Sequence, residues 1–109
     1  MNYELKFLPE AIDDLKNIDS SIRPQILKGF RKVLQNPESK LLGGYGEPLG
    51  NRNDAKLSGL YKIKFRSIGQ RVVYALQKTE SSMTVIVISA REDFKVYKEA
   101  EKRRKENNL

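Results

Sequence analysis

The chain has 109 residues, of which 39% are hydrophobic and 32% charged, and it carries a formal net charge of +7. That length suits one domain, so residues 1–109 are treated as a single domain. The chain has no cysteine, histidine or tryptophan, which excludes disulfides, a thiolate nucleophile and imidazole-based catalysis. Because no apolar stretch reaches bilayer length and no signal-peptide core is visible, we expect a cytoplasmic protein with no membrane partner.

The positive charge is concentrated in the second half of the chain. Residues 1–59 hold nine Lys or Arg against eight Asp or Glu, whereas residues 60–109 hold twelve against six. Such an uneven distribution favours an electropositive face that binds a polyanion, although a solvated basic surface without function is the simpler alternative.

The N-terminal third reads as a strand followed by two helices. Apolar and polar residues alternate over residues 2–8, which is the period of a short half-buried strand. Pro9 suits the first turn of a helix. Apolar residues spaced by three or four from Ile22 to Leu34 predict a second helix, which ends before Pro37. We expect the two helices to form an antiparallel hairpin on one face of a sheet.

Residues 37–55 contain four glycines and two prolines and predict a long surface loop. The run Gly43-Gly44-x-Gly46 superficially resembles a phosphate-binding loop. It lacks both the preceding strand and the following Lys-Ser/Thr pair, so we do not interpret it that way.

The second half predicts three antiparallel strands and a helix. The strands cover residues 60–65, 70–77 and 83–89 and are joined by tight turns, and the helix covers residues 92–104. The expected fold class is therefore α+β, with a small, mainly antiparallel sheet in the order β-α-α-β-β-β. The helical hairpin packs on one face, and a C-terminal helix completes the domain.

Cationic side chains gather on the predicted sheet. Period two places Lys62, Lys64 and Arg66 on one face of their strand. Arg71 should lie close to Lys64 across the hairpin. The candidate catalytic residues are Lys62, Lys64, Arg71, Arg91 and Tyr97. Further candidates for RNA binding are Arg66, Lys95 and Lys98. No metal or cofactor is expected.

Such a cluster suits cleavage of a phosphate ester in RNA. Without a metal, cationic donors aimed at the phosphoryl oxygens would supply most of the stabilisation of the transition state. Arginine fits this task because its planar guanidinium can bind two phosphate oxygens at once. We therefore expect Arg71 and Arg91 to stabilise charge rather than transfer protons.

The residue types alone do not identify the general base. An unperturbed lysine has a pKa near 10.4 and is almost fully charged at neutral pH. Two lysines about 7 Å apart repel each other by roughly 2.4 kcal/mol at an effective dielectric of 20, which favours loss of one proton. Lys62 or Lys64 could thus act as base at reduced efficiency, and Tyr97 is an equal alternative.

Two blocks carry a resemblance to a known family. These blocks are LSGLYKIKFRSIGQRVVYAL and VIVISAREDFKVYKEAEKR. Together with a stretch near the start, FLPEAIDDLKNIDSSIRPQILKGF, they resemble the RelE toxins of the RelE/ParE superfamily. These are the toxin halves of bacterial type II toxin–antitoxin pairs. The resemblance implies a metal-independent endoribonuclease that cleaves mRNA in the ribosomal A site by attack of the 2′-hydroxyl, with mRNA, ribosomal RNA and a cognate antitoxin as partners.

By position, the resemblance assigns a role to each candidate. It implies that Lys62 and Lys64 stabilise charge or take the proton and that Arg71 binds the transition state. It further implies that Arg91 serves the leaving group and that Tyr97 orients the nucleophile. The chain departs from the family pattern at Ala90 and Gln70 and in the longer loop at residues 43–54.

Two other functions fit the same fold. A ParE-like toxin would inhibit DNA gyrase without cleaving RNA, although such chains generally lack the paired strand lysines and the terminal arginine–tyrosine combination. A passive RNA-binding module is the third possibility, and the basic strands show no stacking aromatic residues in its favour.

Overall fold

The computed structural model describes residues 3–50, 56–90 and 94–109, and it has the predicted α+β architecture. The helices and strands of this described part are, in chain order, β1 (Glu4–Phe7), α1 (Pro9–Lys16), α2 (Arg23–Val33), β2 (Glu47–Pro48), β3 (Leu60–Phe65), β4 (Gln70–Gln77), β5 (Ser82–Ser89) and α3 (Phe94–Glu106). Short 3₁₀ turns occupy Lys40–Leu42, Arg66–Ile68 and Lys78–Glu80. None of the described helices combines the length and the apolar character needed to cross a bilayer.

The five strands form one mixed sheet in the order β1-β5-β4-β3-β2. The pair β1–β5 is parallel and the other three pairs are antiparallel. The predicted mainly antiparallel sheet is thus confirmed, and the structure adds β2, which lies inside the predicted loop. Gly69, with φ of 65°, closes the turn between β3 and β4 in a left-handed conformation that glycine adopts without strain.

The middle of the sheet is buried on both faces. The central runs of β4 (residues 72–76) and β5 (residues 85–88) are apolar, and Val72, Val73, Val85 and Ile86 are almost fully buried. A run without polar alternation is what a strand covered on both sides requires. The sheet therefore needs a layer of helix on each face.

The helices supply these two layers. On one face, Phe30 of α2 packs edge-to-face against Phe7 and Phe65, each with ring centroids 5.8 Å apart. Alternation along β3 turns Lys62 to the opposite face from Phe65, and there Lys62 contacts Tyr97 of α3. The hairpin and the C-terminal helix thus lie on opposite sides of β3.

An ion pair seals the part of the β5 edge that β1 does not cover. Arg103 of α3 donates to Asp14 of α1 at 2.7 Å and to the backbone carbonyl of Ile86 at 2.9 Å. Asp14 also accepts from the backbone N–H of Ile88 at 3.0 Å. Burial lowers the pKa of Arg103, the carboxylates beside it raise it, and the balance is a raised pKa. This contact ties α3 to α1 across the sheet edge.

The described part of the glycine-rich loop is closely packed at two of its glycines. A side chain at Gly44 would overlap the Glu38 carbonyl, and one at Gly46 would overlap the Tyr74 hydroxyl. That hydroxyl donates to the Pro37 carbonyl at 2.6 Å. Burial raises the pKa of Tyr74 well above its ordinary value.

Candidate active site

Lys62, Tyr97 and Glu47 form a compact polar group beside β3. The Lys62 ammonium donates to the Tyr97 hydroxyl at 3.3 Å and lies 5.8 Å from the centroid of its ring. Glu47 Oε2 lies 3.7 Å from the Lys62 Nζ. The Lys62 side chain is only 4% exposed, whereas that of Glu47 is 40% exposed. The group therefore extends from the interior to the surface.

The strand register explains how a lysine can occupy this buried position. Glu47 of β2 is the direct cross-strand partner of Lys62 on β3. A buried ammonium is costly unless a counter-charge and hydrogen-bond acceptors surround it. Glu47 supplies the charge and Tyr97 supplies an acceptor, so Lys62 can remain protonated while held in one direction.

Lys64 and Arg71 form a second cationic pair one step along the sheet. They are direct partners across the β3–β4 hairpin, which confirms their predicted proximity. Arg71 donates to the backbone carbonyl of Ala90 at 3.3 Å, just past the end of β5. Lys64 is exposed and Arg71 is half-buried. Their charges are thus available to a ligand on the same face as Lys62.

The remaining predicted residues lie outside the Lys62 group and the Lys64–Arg71 pair. Arg66 lies in the 3₁₀ turn that follows β3, as the predicted bounds of that strand require, and it lines a pocket of about 290 Å³ with Lys64 and Arg71. Lys95 lines a separate pocket near Asp14, and Lys98 is half-buried on α3. Arg91 lies outside the described residues, as does the predicted beginning of the last helix at residue 92.

A groove of about 860 Å³ opens beside the site, between α2 and β3. Its walls include Lys62 and Lys64 and also Lys32 and Lys40, which come from the first half of the chain. Sequence reasoning missed Lys32 because it assigned α2 only a packing role, and it missed Lys40 because that residue falls in the predicted loop. For α2, the spacing of its basic residues on one helical face was the available signal.

Glu47 was also missed by sequence reasoning. It sits in a loop rich in glycine and proline, where no periodicity reveals a strand, so its pairing with Lys62 becomes visible only in the sheet register. Over residues 3–50, 56–90 and 94–109, no group of three or more acidic, histidine or cysteine side chains could hold a metal ion. The polar chemistry of the described site therefore consists of lysine, arginine, phenol and one carboxylate.

The fold and the cationic site match a known class of toxin. The family model described as the ParE toxin of the type II toxin–antitoxin system parDE matches residues 5–94. Because this match covers most of the chain, the protein belongs to this family of toxins, within the RelE/ParE superfamily.

The similar curated proteins belong to the RelE branch. The chain is 33% identical over 103 residues to the mRNA interferase toxin RelE of Escherichia coli strain K12, covering 94% of this chain and 98% of that protein. It is 30% identical over 106 residues to a putative RelE-like toxin protein of Escherichia coli, with the same coverage. The resemblance to RelE read from the sequence is thus confirmed.

Solved structures agree with this placement. The free form of an E. coli RelE toxin variant with two arginines replaced by alanine superposes with a TM-score of 0.74 at 31% identity, covering 94% of this chain and 98% of that one. The toxin in the intact E. coli RelBE toxin–antitoxin complex superposes with a TM-score of 0.61 at 28% identity, over 84% of this chain and 99% of that one. The fold is therefore that of the RelE toxins.

Proposed function

We propose that this protein is the toxin of a type II toxin–antitoxin pair and acts as a metal-independent, ribosome-dependent mRNA endonuclease. One observation carries the proposal: Lys62, Lys64 and Arg71 share one face of the sheet, with the Tyr97 hydroxyl bonded to the buried Lys62. The relatives named as mRNA interferases support the same activity. Action on the ribosome would place the protein in the cytoplasm.

The proposed reaction is an attack within the RNA strand. The 2′-oxygen forms a bond to the adjacent phosphorus while the bond from phosphorus to the 5′-oxygen breaks, which leaves a 2′,3′-cyclic phosphate and a 5′-hydroxyl. The 2′ proton passes to a base of the site, and the departing 5′-oxygen takes up a proton from a cationic group or from water. No atom or electron has to be supplied from elsewhere.

The geometry distributes these tasks among the residues. Lys62, buried and paired with Glu47, is suited to remain an ammonium that stabilises negative charge rather than to act as base. Lys64 and Arg71 are more exposed and can donate to the phosphoryl oxygens, Arg71 in the bidentate manner of a guanidinium. Lys64 and Tyr97 are therefore the candidates for the general base. Arg91 remains the proposed partner of the leaving group.

A ParE-like inhibitor of DNA gyrase is the second candidate, because the matching family model carries the ParE description. Expression of the chain in bacteria followed by primer extension on a translated message separates the two. The nuclease predicts new 5′ ends that follow codon positions and disappear in the Arg71→Ala variant. An intact message together with broken chromosomal DNA would favour gyrase and exclude the nuclease.

We further propose that a cognate antitoxin neutralises this chain. Relatives of the same fold have been solved with the antitoxin RelB, as a peptide and as an intact complex. The net charge of +7 suits an acidic partner. Such a partner would either cover the positive face or displace α3, and unchanged growth when the chain is expressed alone at high level would contradict the proposal.

A further inference from the structure

We infer that the groove between α2 and β3 is a binding track for the single-stranded RNA that flanks the scissile phosphate. This track rests on the proposed function for the identity of its ligand, and it extends the site beyond the residues that the family resemblance assigns. We call it the α2–β3 groove. Its lining includes the cations Lys28, Arg31, Lys32, Lys40, Lys64 and Arg66.

The groove is continuous and meets the proposed active site at the edge of β3. Strand β2 pairs only with Tyr61 and Lys62, so it does not cover this edge beyond Lys62. It consists of two hollows of about 860 and 660 Å³, which share Lys32, Lys64 and Arg66 among their lining residues. The first hollow contains Lys62, and the second continues past the end of β3 along α2. From Lys62 to Arg66 the chain covers roughly 13 Å in an extended conformation. Because the Lys62 side chain faces α3, an RNA strand at the site would enter the groove over the edge of β3 at Lys64 and Arg66. These two residues line both hollows and also the pocket beside Arg71.

The floor of the groove is formed by close helix–strand packing. A Cβ atom at Gly29 would lie 2.8 Å from the Phe65 ring, so only glycine lets α2 approach β3 this closely. The helix and the strand thus meet below, with the cations of α2 along one side and Lys64 and Arg66 at the edge of β3 on the other. This cross-section suits a single extended strand with charge on its backbone.

The charge on the walls selects a polyanion. Among the described lining residues, Glu47 is the one acidic side chain against seven cations. Lys28, Arg31 and Lys32 are all exposed and spaced by three and four residues, so they share one face of α2. Cations aligned along a groove are how proteins follow a nucleic-acid backbone.

Tyr45 adds an exposed aromatic ring to the larger hollow. Its side chain is 40% exposed in the larger hollow, and the Lys32 ammonium lies 5.4 Å from the centroid of its ring. A ring beside cations in a single-strand groove offers a base a surface for stacking without regard to sequence. This combination favours RNA over an acidic peptide as the occupant.

Binding to a short fluorescent single-stranded RNA, carrying 2′-O-methyl groups so that it cannot be cut, tests the track. The triple variant Lys28→Gln, Arg31→Gln, Lys32→Gln should raise the Kd about tenfold or more at low salt. Its slope of log K against log salt should be shallower by about 2, since each lost phosphate contact removes about 0.7. The single variant Lys32→Gln should make that slope shallower by about 0.7.

A matched control removes the same charge elsewhere. Lys6, Lys16 and Lys102 are exposed and lie outside the lining of the α2–β3 groove. The corresponding triple glutamine variant should change the Kd less than about threefold. Circular dichroism and thermal unfolding of both triple variants verify that these surface substitutions leave the fold intact.

Three results would overturn the track. The first is equal weakening by the two triple variants, which would indicate only the net charge. The second is unchanged binding of the isolated RNA with impaired cleavage on the ribosome, which would assign the groove to ribosomal RNA. The third is an α2 triple variant that no longer binds an acidic antitoxin peptide but still binds the RNA as the wild type does, which would make the groove a protein interface. A wild-type chain that binds RNA through the groove without cutting any message would refute the nuclease and leave the track standing.

Discussion

The pairing of Glu47 with Lys62 gives the most detailed prediction. Their charged atoms lie 3.7 Å apart, which corresponds to about 4.5 kcal/mol of attraction at an effective dielectric of 20. Solvent reduces this value, because the carboxylate is 40% exposed while the lysine is buried. Removing one member of a fully buried pair costs about 3–5 kcal/mol, and an exposed pair is worth at most about 1 kcal/mol. We therefore expect the Glu47→Gln variant to lose about 2 kcal/mol of unfolding free energy.

A double-mutant cycle measures this interaction directly. Urea denaturation of the wild type, Glu47→Gln, Lys62→Met and the double variant gives the four stabilities. If Glu47 acts by compensating the Lys62 charge, Glu47→Gln should cost about 2 kcal/mol with Lys62 present and almost nothing with Met at that position. The rate of message cleavage should follow the same pattern, since Lys62 would lose its fixed direction.

Glu80, an exposed glutamate in the turn after β4, provides the control. Its replacement by Gln should leave both stability and cleavage nearly unchanged. An equal loss of unfolding free energy from Glu47→Gln in the presence and absence of the Lys62 ammonium would contradict this role of Glu47. That result would mean that Glu47 acts on its own, and Lys62 would need another counter-charge.

Three further predictions concern other residues. Arg71→Ala should lower the kcat of cleavage roughly a hundredfold, because a donor to the developing phosphoryl charge is lost; an unchanged kcat would remove Arg71 from the site. Arg103→Met should lower the free energy of unfolding by about 3 kcal/mol or more, since it leaves Asp14 half-buried without its partner; a loss under about 1 kcal/mol in urea would contradict the edge-sealing role. Burial raises the pKa of Tyr74, so the phenol stays neutral in the folded chain while the unfolded chain ionises above about pH 10. Its contribution to stability should be complete below that pH and fall by about 1.4 kcal/mol per pH unit above it. Tyr74→Phe should flatten the alkaline loss of stability, and identical slopes in the two proteins would contradict this.

Most of the fold is visible in the sequence because its elements have strong apolar periods. The β3–β4 hairpin was predicted with the observed bounds, since Gly69 marks the turn and apolar residues fill both strands. The proximity of Lys64 and Arg71 follows from that turn alone. Local patterns thus suffice wherever the contact is set by a short connection.

The features missed by sequence reasoning depend on contacts between distant segments. The two-residue strand at Glu47 has too few residues to show a period, and its glycine-rich surroundings predict a loop. Lysine is ordinarily exposed, so the burial of Lys62 is not expected until Glu47 and Tyr97 are placed around it. Sequence reasoning gave the cations of α2 no role, because only the packing of Gly29 on Phe65 shows that this helix lies beside β3.

The chemical nature of the RNA ends distinguishes attack by the 2′-hydroxyl from other routes of cleavage. Purified protein is added to ribosomes that carry a defined message, and the upstream fragment is examined for its terminal group. Attack by the 2′-hydroxyl predicts a 2′,3′-cyclic phosphate on that fragment and no cleavage when the nucleotide before the cut carries 2′-deoxyribose. A 3′-hydroxyl end, or undiminished cleavage of the deoxy-substituted message, would contradict the proposed reaction.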